Sequence, residues 1–277
     1  MVVAALAIIV ASIAFSAWRK YNFCVVTAIA CTAVFAISLA PDIFQMLAFM
    51  PRDTTDPTMV YTILTSMYTH VNMVHLIFNM VGLAFIGIML EQRIGTRPFI
   101  LLYLLAGFFG TMAFAASDWN NPYSSVVGAS GAVSGVLGGL ARLYPNERVI
   151  LFPLPVPIRM WTAVLLFVLL QFVFVTGGNV AWQAHLGGLV AGVLLAPLVV
   201  KVRSETIVRR TVPNDALRKL AVTPELQGIL KRIELETVPD VRKAWTDHFM
   251  SKARCPICGS PIRVSGDAVR CSKGHLL

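Results

Sequence analysis

Charge is scarce in this chain. Asp, Glu, Lys and Arg make up only 13% of its 277 residues, against 57% hydrophobic ones, so a soluble domain would lack the polar surface to cover itself. The mean hydropathy of +0.73 agrees, and the class that remains is a polytopic membrane protein. Acidic residues are absent altogether from the long apolar runs. That argues against a transporter or channel, because such groups usually mark a cation or proton route through the bilayer. Cysteine is sparse too. Of five, Cys24 and Cys31 fall in an apolar run and read as packing residues, while Cys255, Cys258 and Cys271 cluster near the C-terminus, so a disulfide scaffold is not expected. Basic residues, finally, are missing ahead of the first apolar run and follow it as Arg19-Lys20. This pattern reads as an anchor with its N-terminus outside. The competing reading is a cleaved signal peptide ending near "AFS" (residues 14–16), whose translocation Arg19-Lys20 would hinder.

What is present is a series of seven apolar runs, at residues 2–18, 23–40, 74–90, 99–116, 130–143, 161–176 and 184–200. Most are long enough to cross about 30 Å of hydrocarbon as a helix. The fifth is short and glycine-rich, which suits a helix buried among others. Lys and Arg are retained on the cytoplasmic side of a membrane, and they occupy the "EQRIGTRP" turn, the "ARLYPNERVILFPLPVPIR" connection and the tail. The loops "SDWNNPYSS" and "TGGNVAWQ" have neither, and residues 41–62 carry only Arg52. The reading is a multi-pass protein of the cell membrane with its N-terminus outside, its tail in the cytoplasm, and residue 130 near the external face. From Lys201 on, the tail holds 15 of the 23 basic and 8 of the 14 acidic residues, which leaves +7 of the net +9 there. A basic tail beside a membrane does not call for a nucleic-acid partner.

Polar groups inside a bilayer are costly and usually have a partner or a purpose. In "VVGASGAVSGVLGG" (126–139), Gly131, Gly135 and Gly139 form a close-packing seam, and Ser130 can hide in it by bonding a carbonyl one turn back. The other reading is a nucleophile, which needs a base near. His185 opens "HLGGLVAG", in which Gly188 and Gly192 repeat the spacing, so the fifth and seventh helices can approach almost backbone to backbone and bring imidazole to hydroxyl. His75 and Asn79 lie four apart on one face of the third helix. They can be an interhelical hydrogen-bonded pair or two donors for a developing oxyanion. His70, about 140° from His75 on a continued helix, should not share that face and reads as a structural group of the external loop. Gln171 and Ser134 read as local packing. With no carboxylate nearby, any chemistry would be that of a dyad.

Taken in order, "HVNMVHLIFN" (70–79), "EQRIG" (91–95), "GASG" (128–131) and "AHLGGLVAG" (184–192) resemble the motifs of the rhomboid intramembrane serine proteases over residues 23 to 200. The resemblance implies an all-α polytopic membrane protein with a six-helix rhomboid-like core, here preceded by one extra N-terminal transmembrane helix. It implies Ser130 as nucleophile, His185 as general base, and Asn79 and His75, with the Ser130 backbone N–H, as oxyanion hole. Glu91 and Arg93 would be a structural pair at the cytoplasmic helix end. The implied activity is endopeptidase cleavage, without a catalytic cofactor, of single-pass or other transmembrane proteins within the bilayer. A catalytically inactive rhomboid-like protein that binds membrane helices for quality control is the alternative, although such relatives generally lack the nucleophile or the base. Two departures stand out. Where many members have an aromatic residue one turn after the nucleophile, this chain has Ser134, so His185 must be held some other way; and Tyr61-Thr62 stands where Trp-Arg is common.

The tail is polar enough to be soluble. Thr223-Pro224-Glu225 reads as an N-cap, a first-turn proline and an acid, starting a helix through Glu236, and residues 237–250 read as a second. In "CPICGSPIRVSGDAVRCSKGH", Cys255-x₂-Cys258 and Cys271-x₃-His275 are separated by 12 residues. Three thiolates and an imidazole on two tight turns are the ligand set of a structural Zn²⁺ site, with redox cysteines as the competing reading. The expected organisation is therefore an extra helix at 1–20, the core at 21–202, a cytosolic helical linker at 203–254 and a zinc-ribbon-like module at 255–277.

Overall fold

The computed structural model describes residues 1–19, 21–149, 156–175, 180–208, 214–236, 239–265 and 268–275. The ends of two expected helices, at Thr176 and Thr237, lie outside the described residues, as do Lys20 and parts of the loops at 144–159 and 176–183. The protein is mostly helical, and two compact units, Met1–Lys201 and Val202–Leu277, divide it.

In the first unit every apolar run forms a helix. These are α1 (Val2–Arg19), α2 (Phe23–Ile37), a third run in two parts, α7 (Thr96–Ser117), α8 (Ser130–Leu143), α9 (Met160–Val175) and α10 (Trp182–Val208). Between α2 and the third run lie the short helices α3 (Pro41–Leu47) and α4 (Thr62–Ser66). The third run is α5 (Met73–Gly82) and α6 (Ile88–Ile94), joined without a break by a π-helical turn at Leu83–Gly87. Four of these stretches are long and apolar enough to cross a bilayer: Val2–Arg19, Met73–Ile94, Thr96–Ser117 and Trp182–Val200. A short hairpin, β1 (Arg148–Val149) with β2 (Ile158–Arg159), leads into α9.

α8 is about 21 Å long at about 1.5 Å per residue, too short to span the hydrocarbon. It need not, because it is enclosed by protein: Gly131, Ala132, Ser134 and all residues from Gly135 to Leu140 are buried. Glycine makes the enclosure tight. A Cβ on Gly188 would come within 2.0 Å of the Gly131 carbonyl oxygen, and one on Gly192 within 1.8 Å of that of Gly135. The backbones of α8 and α10 therefore touch, and a side chain at either position would drive them apart.

The extra helix α1 packs on α2 and turns one stripe inward, Ala5, Ile9, Ser12 and Ser16, all buried. Arg97 Nε at the start of α7 donates to the Ala17 carbonyl at 3.2 Å and fastens its C-terminal end. Glu91 and Arg93 do not form a pair with each other as expected. The Glu91 carboxylate accepts from the Phe23 and Cys24 N–H groups at 2.7 and 3.0 Å, capping the N-terminus of α2, where an anion is favoured by the helix dipole. Arg93 pairs with Glu147 at 2.9 Å and lies over the Tyr144 ring. Successive side chains two apart on a helix face different neighbours, which separates the two roles. At the opposite end the long loop is folded on Asp53. Its buried Oδ2 accepts from the Met50 N–H and the Thr62 hydroxyl, so Thr62 is directed into protein.

The second unit has its own apolar core. α11 (Asn214–Leu220), α12 (Pro224–Leu235) and α13 (Pro239–Lys252) precede an antiparallel hairpin, β3 (Ile262–Ser265) with β4 (Ala268–Cys271). The Thr223 hydroxyl caps α12 by accepting from the Leu226 N–H. Val269 of the hairpin shares a buried cluster with Leu217, Leu230, Ile233 and Phe249 of the helices. The helical stretch and the terminal segment thus close around one core.

Candidate active site and metal centre

Three short tethers bring the loop before α8 into position. Phe49 and Val126 form an antiparallel bridge, the Gly128 N–H donates to the Ser66 carbonyl at 2.8 Å, and the Ala129 N–H reaches His70 Nε2 at 3.5 Å. The chain can then turn into α8 only by taking φ = +119° at Gly128, a conformation that favours glycine. A Cβ there would also lie 2.7 Å from the His75 ring and 3.5 Å from Ser130 Oγ. His75 and Ser130 thus flank the same point. Ser130 is the first residue of α8, and the Val133 N–H to Ala129 carbonyl bond opens the ladder. The N–H of Ser130 therefore lies ahead of the intrahelical bonds, free to serve an external acceptor.

Ser130 Oγ lies 2.7 Å from His185 Nε2. The glycine seam explains how: Gly131 follows the serine, Gly188 is one turn after the histidine, and their backbones touch. His185 Nδ1 lies 2.8 Å from Gln171 Oε1 on α9, and the ring of Phe167, also on α9, is tilted beside it with centroids 6.2 Å apart. The Ser134 hydroxyl turns away and donates to the Ser130 carbonyl at 2.7 Å. Ser134 is local packing, as its place in the seam suggests; Gln171 is not. The signal in the sequence was that Gln171 is the lone polar residue of 163–175.

Asn79 is buried. Its Nδ2 donates to the His75 carbonyl at 2.9 Å, which uses one of its two N–H groups, and its Oδ1 has no partner among the described residues. His70 is the structural group of the loop that its position suggests, its Nε2 accepting from the Ala129 N–H, but it does not stay clear of His75. α5 begins only at Met73, with Asn72 as its cap, so the helical angle between His70 and His75 does not apply. Their rings meet edge to face with centroids 5.1 Å apart. A small pocket opens beside Ser130, lined by Ser66, Met67, Gly107, Thr111, Val127 and Gly128 among others.

In the second unit Cys255, Cys258, Cys271 and His275 converge, with one ligand atom of each within 4.8 Å of all the others. Cys258 Sγ and Cys271 Sγ are 3.7 Å apart, and Cys271 Sγ and His275 Nδ1 are 3.4 Å apart. A tetrahedral zinc with Zn–S of about 2.3 Å requires sulfurs about 3.8 Å apart, a separation that Cys258 and Cys271 match. Both turns close on their first cysteine. The Gly259 N–H donates to the Cys255 carbonyl, the Gly274 N–H to that of Cys271, and the His275 N–H to Cys271 Sγ. The two glycines take φ of +69° and +90°. Hydrogen bonding from Ser260 pulls the Cys258 thiol down to about 6, toward the thiolate a metal needs, whereas burial pushes Cys255 up.

A family model described as the Rhomboid domain matches residues 57–202. Rhomboid protein 1, mitochondrial, of Saccharomyces cerevisiae is 31% identical over 171 residues, covering 58% of this chain and 49% of that protein. Rhomboid protease GluP of Bacillus subtilis is 34% identical over 137 residues, 49% of this chain and 25% of its own. Rhomboid-like protease 3 of Toxoplasma gondii is 31% identical over 139 residues, 49% and 50% respectively. The chain thus spans about half or less of the length of these relatives. The matched region runs from before the third run into α10 and contains His75, Asn79, Ser130, Gln171 and His185. A match over more than half of a multi-pass helical chain makes this protein a member of the rhomboid family.

Proposed function

We propose that this protein is an intramembrane serine endopeptidase that cleaves transmembrane segments near the external face of the membrane, with Ser130 as nucleophile and His185 as general base. One observation carries the reading, the 2.7 Å contact between Ser130 Oγ and His185 Nε2. Oγ attacks the peptide carbonyl carbon as its proton passes to Nε2. The C–N bond then breaks, and the same proton goes to the leaving amine. Water next attacks the acyl carbon, gives a proton to Nε2, and Ser130 is released with that proton returned to Oγ. The Ser130 N–H, the second N–H of Asn79 and the His75 ring are the donors to the transient oxyanion, each worth about 10²–10³ in rate if aimed at it. The pocket beside Ser130 is small, which suits a small residue at the cleavage point. The substrate helix must unwind there to expose its carbonyl. The names of the Bacillus and Toxoplasma relatives, both called proteases, agree. The second reading, an inactive helix-binding protein, leaves the intact pair without a use. A serine-directed phosphonate should label the unaltered protein once, at Ser130. Labelling elsewhere, or none by a probe that reacts with a control serine protease, removes the assignment.

The same reading puts the protein in the cell membrane, with an extra helix at 1–20, the core at 21–202, the cytosolic helical stretch at 203–254 and the terminal module at 255–277. That module would hold one structural Zn²⁺ through Cys255, Cys258, Cys271 and His275, supplying folding free energy and no catalytic step. Basic residues are retained inside. Cysteines introduced at two exposed positions test the orientation: an impermeant thiol reagent on intact cells should modify Asn120→Cys and spare Asn146→Cys. The reverse pattern inverts the protein and moves Ser130 to the inner face.

A further inference from the structure

We propose that Gln171 is a positioning residue for His185, holding the ring in the tautomer whose Nε2 lone pair faces Ser130. The proposal rests on the dyad reading and deepens it. A neutral imidazole carries one proton on two nitrogens, and here both nitrogens are engaged, Nε2 by a hydroxyl at 2.7 Å and Nδ1 by a carboxamide oxygen at 2.8 Å. An amide oxygen only accepts. Facing it, Nδ1 must carry the proton, and Nε2 is left as the acceptor that a general base has to be. The opposite tautomer would set the Nδ1 lone pair against that of Oε1.

Two further observations favour this role over packing. Phe167 and Gln171 are four residues apart, hence on one face of α9, and both are at the His185 ring. The imidazole is therefore cradled from α9. From α8, where an aromatic residue could have supported it, Ser134 offers nothing, because its hydroxyl is bonded to the Ser130 carbonyl. Gln171 is also the lone polar residue of an otherwise apolar stretch, 163–175. A polar side chain in such a helix needs a partner, and among the described residues its partner is the His185 ring.

The test uses the full-length protein in detergent and in liposomes, with Gln171→Met, which keeps the length without the acceptor, and Gln171→Glu, which keeps an acceptor. Gln171→Met should lower kcat about 10- to 100-fold, part of the 10²–10⁴ that a well-placed base contributes, with KM unchanged. Gln171→Glu should recover most of that loss. In ¹⁵N-histidine-labelled protein, the His185 resonance, assigned by its loss in His185→Phe, should report a protonated Nδ1 and a bare Nε2, and should move toward the opposite tautomer in Gln171→Met. A protonated Nε2 in the unaltered protein overturns the proposal, and so does an unchanged kcat in Gln171→Met. If Gln171→Met does not fold, the tautomer of the unaltered protein and the activity of Gln171→Glu decide, a dead but folded Gln171→Glu overturning it. Loss of the dyad reading itself would appear separately, as cleavage by Ser130→Ala with the tautomer unchanged.

Discussion

Ser130→Ala is expected to abolish cleavage of a model transmembrane substrate while leaving the helices assembled. The change removes one oxygen at the first residue of α8. The seam that joins α8 to α10 is made of glycine backbone at Gly131, Gly135, Gly188 and Gly192, none of which is altered. His185→Ala should reduce turnover by about 10²–10⁴ or more, the share of a general base. It should also cost little in fold, since the ring is only half-buried and loses two hydrogen bonds, to Ser130 and Gln171, and a ring contact with Phe167. The two losses should not add, because nucleophile and base act on one proton and either change alone disables the transfer. Cleavage assays in liposomes, with thermal unfolding of each variant as the control, check this. A stably folded Ser130→Ala variant that still cleaves would defeat the nucleophile assignment.

Removal of zinc is expected to have a comparably large effect at the other end of the chain and almost none at the dyad. β3 and β4 are four residues each, and among the described side chains Val269 and Ile262 join the buried cluster. Structural zinc in small modules supplies about 10–16 kcal/mol at neutral pH, far more than such a hairpin can gather. Full-length protein should carry one zinc per chain. Cys258→Ser, or a strong chelator, should release it and expose residues 255–275 to protease. Val269 belongs to the same buried cluster as Leu217 and Phe249, so digestion should extend into α11–α13. Phosphonate labelling of Ser130 should persist, because no metal enters the chemistry of the dyad. Metal-free protein as isolated would defeat the zinc assignment. Lost labelling in a stably inserted Cys258→Ser variant would show instead that the tail is coupled to the active site.

Much of this was legible in the sequence because a bilayer simplifies the problem. Backbone groups in hydrocarbon must bond within their own segment, so apolar runs of the right length become helices, and all seven did. Glycines four apart are likewise direct statements about backbone contact, which is why Ser130 and His185 were brought together by reasoning on spacing alone. Cys-x₂-Cys and Cys-x₃-His specify ligand type and turn geometry locally, and the four side chains converge accordingly. What the sequence could not decide were relations set by rotation and by where a helix begins. His70 has the structural role its loop suggests, yet its ring meets that of His75, because the cap at Asn72 starts α5 after it and no helical wheel includes it. Glu91 and Arg93 are two apart in the motif but point to α2 and to Glu147, since two residues along a helix is more than half a turn. Gln171 was passed over because the face of α9 turned to His185 depends on packing of hydrophobic surfaces, and packing is non-directional. Composition, period and spacing determined which segments span the membrane and which residues are capable of chemistry. Only the tertiary structure decided which polar atom each of them meets, because hydrogen bonds act over about 3 Å and that precision is set by the rotation and depth of helices joined far apart in the chain.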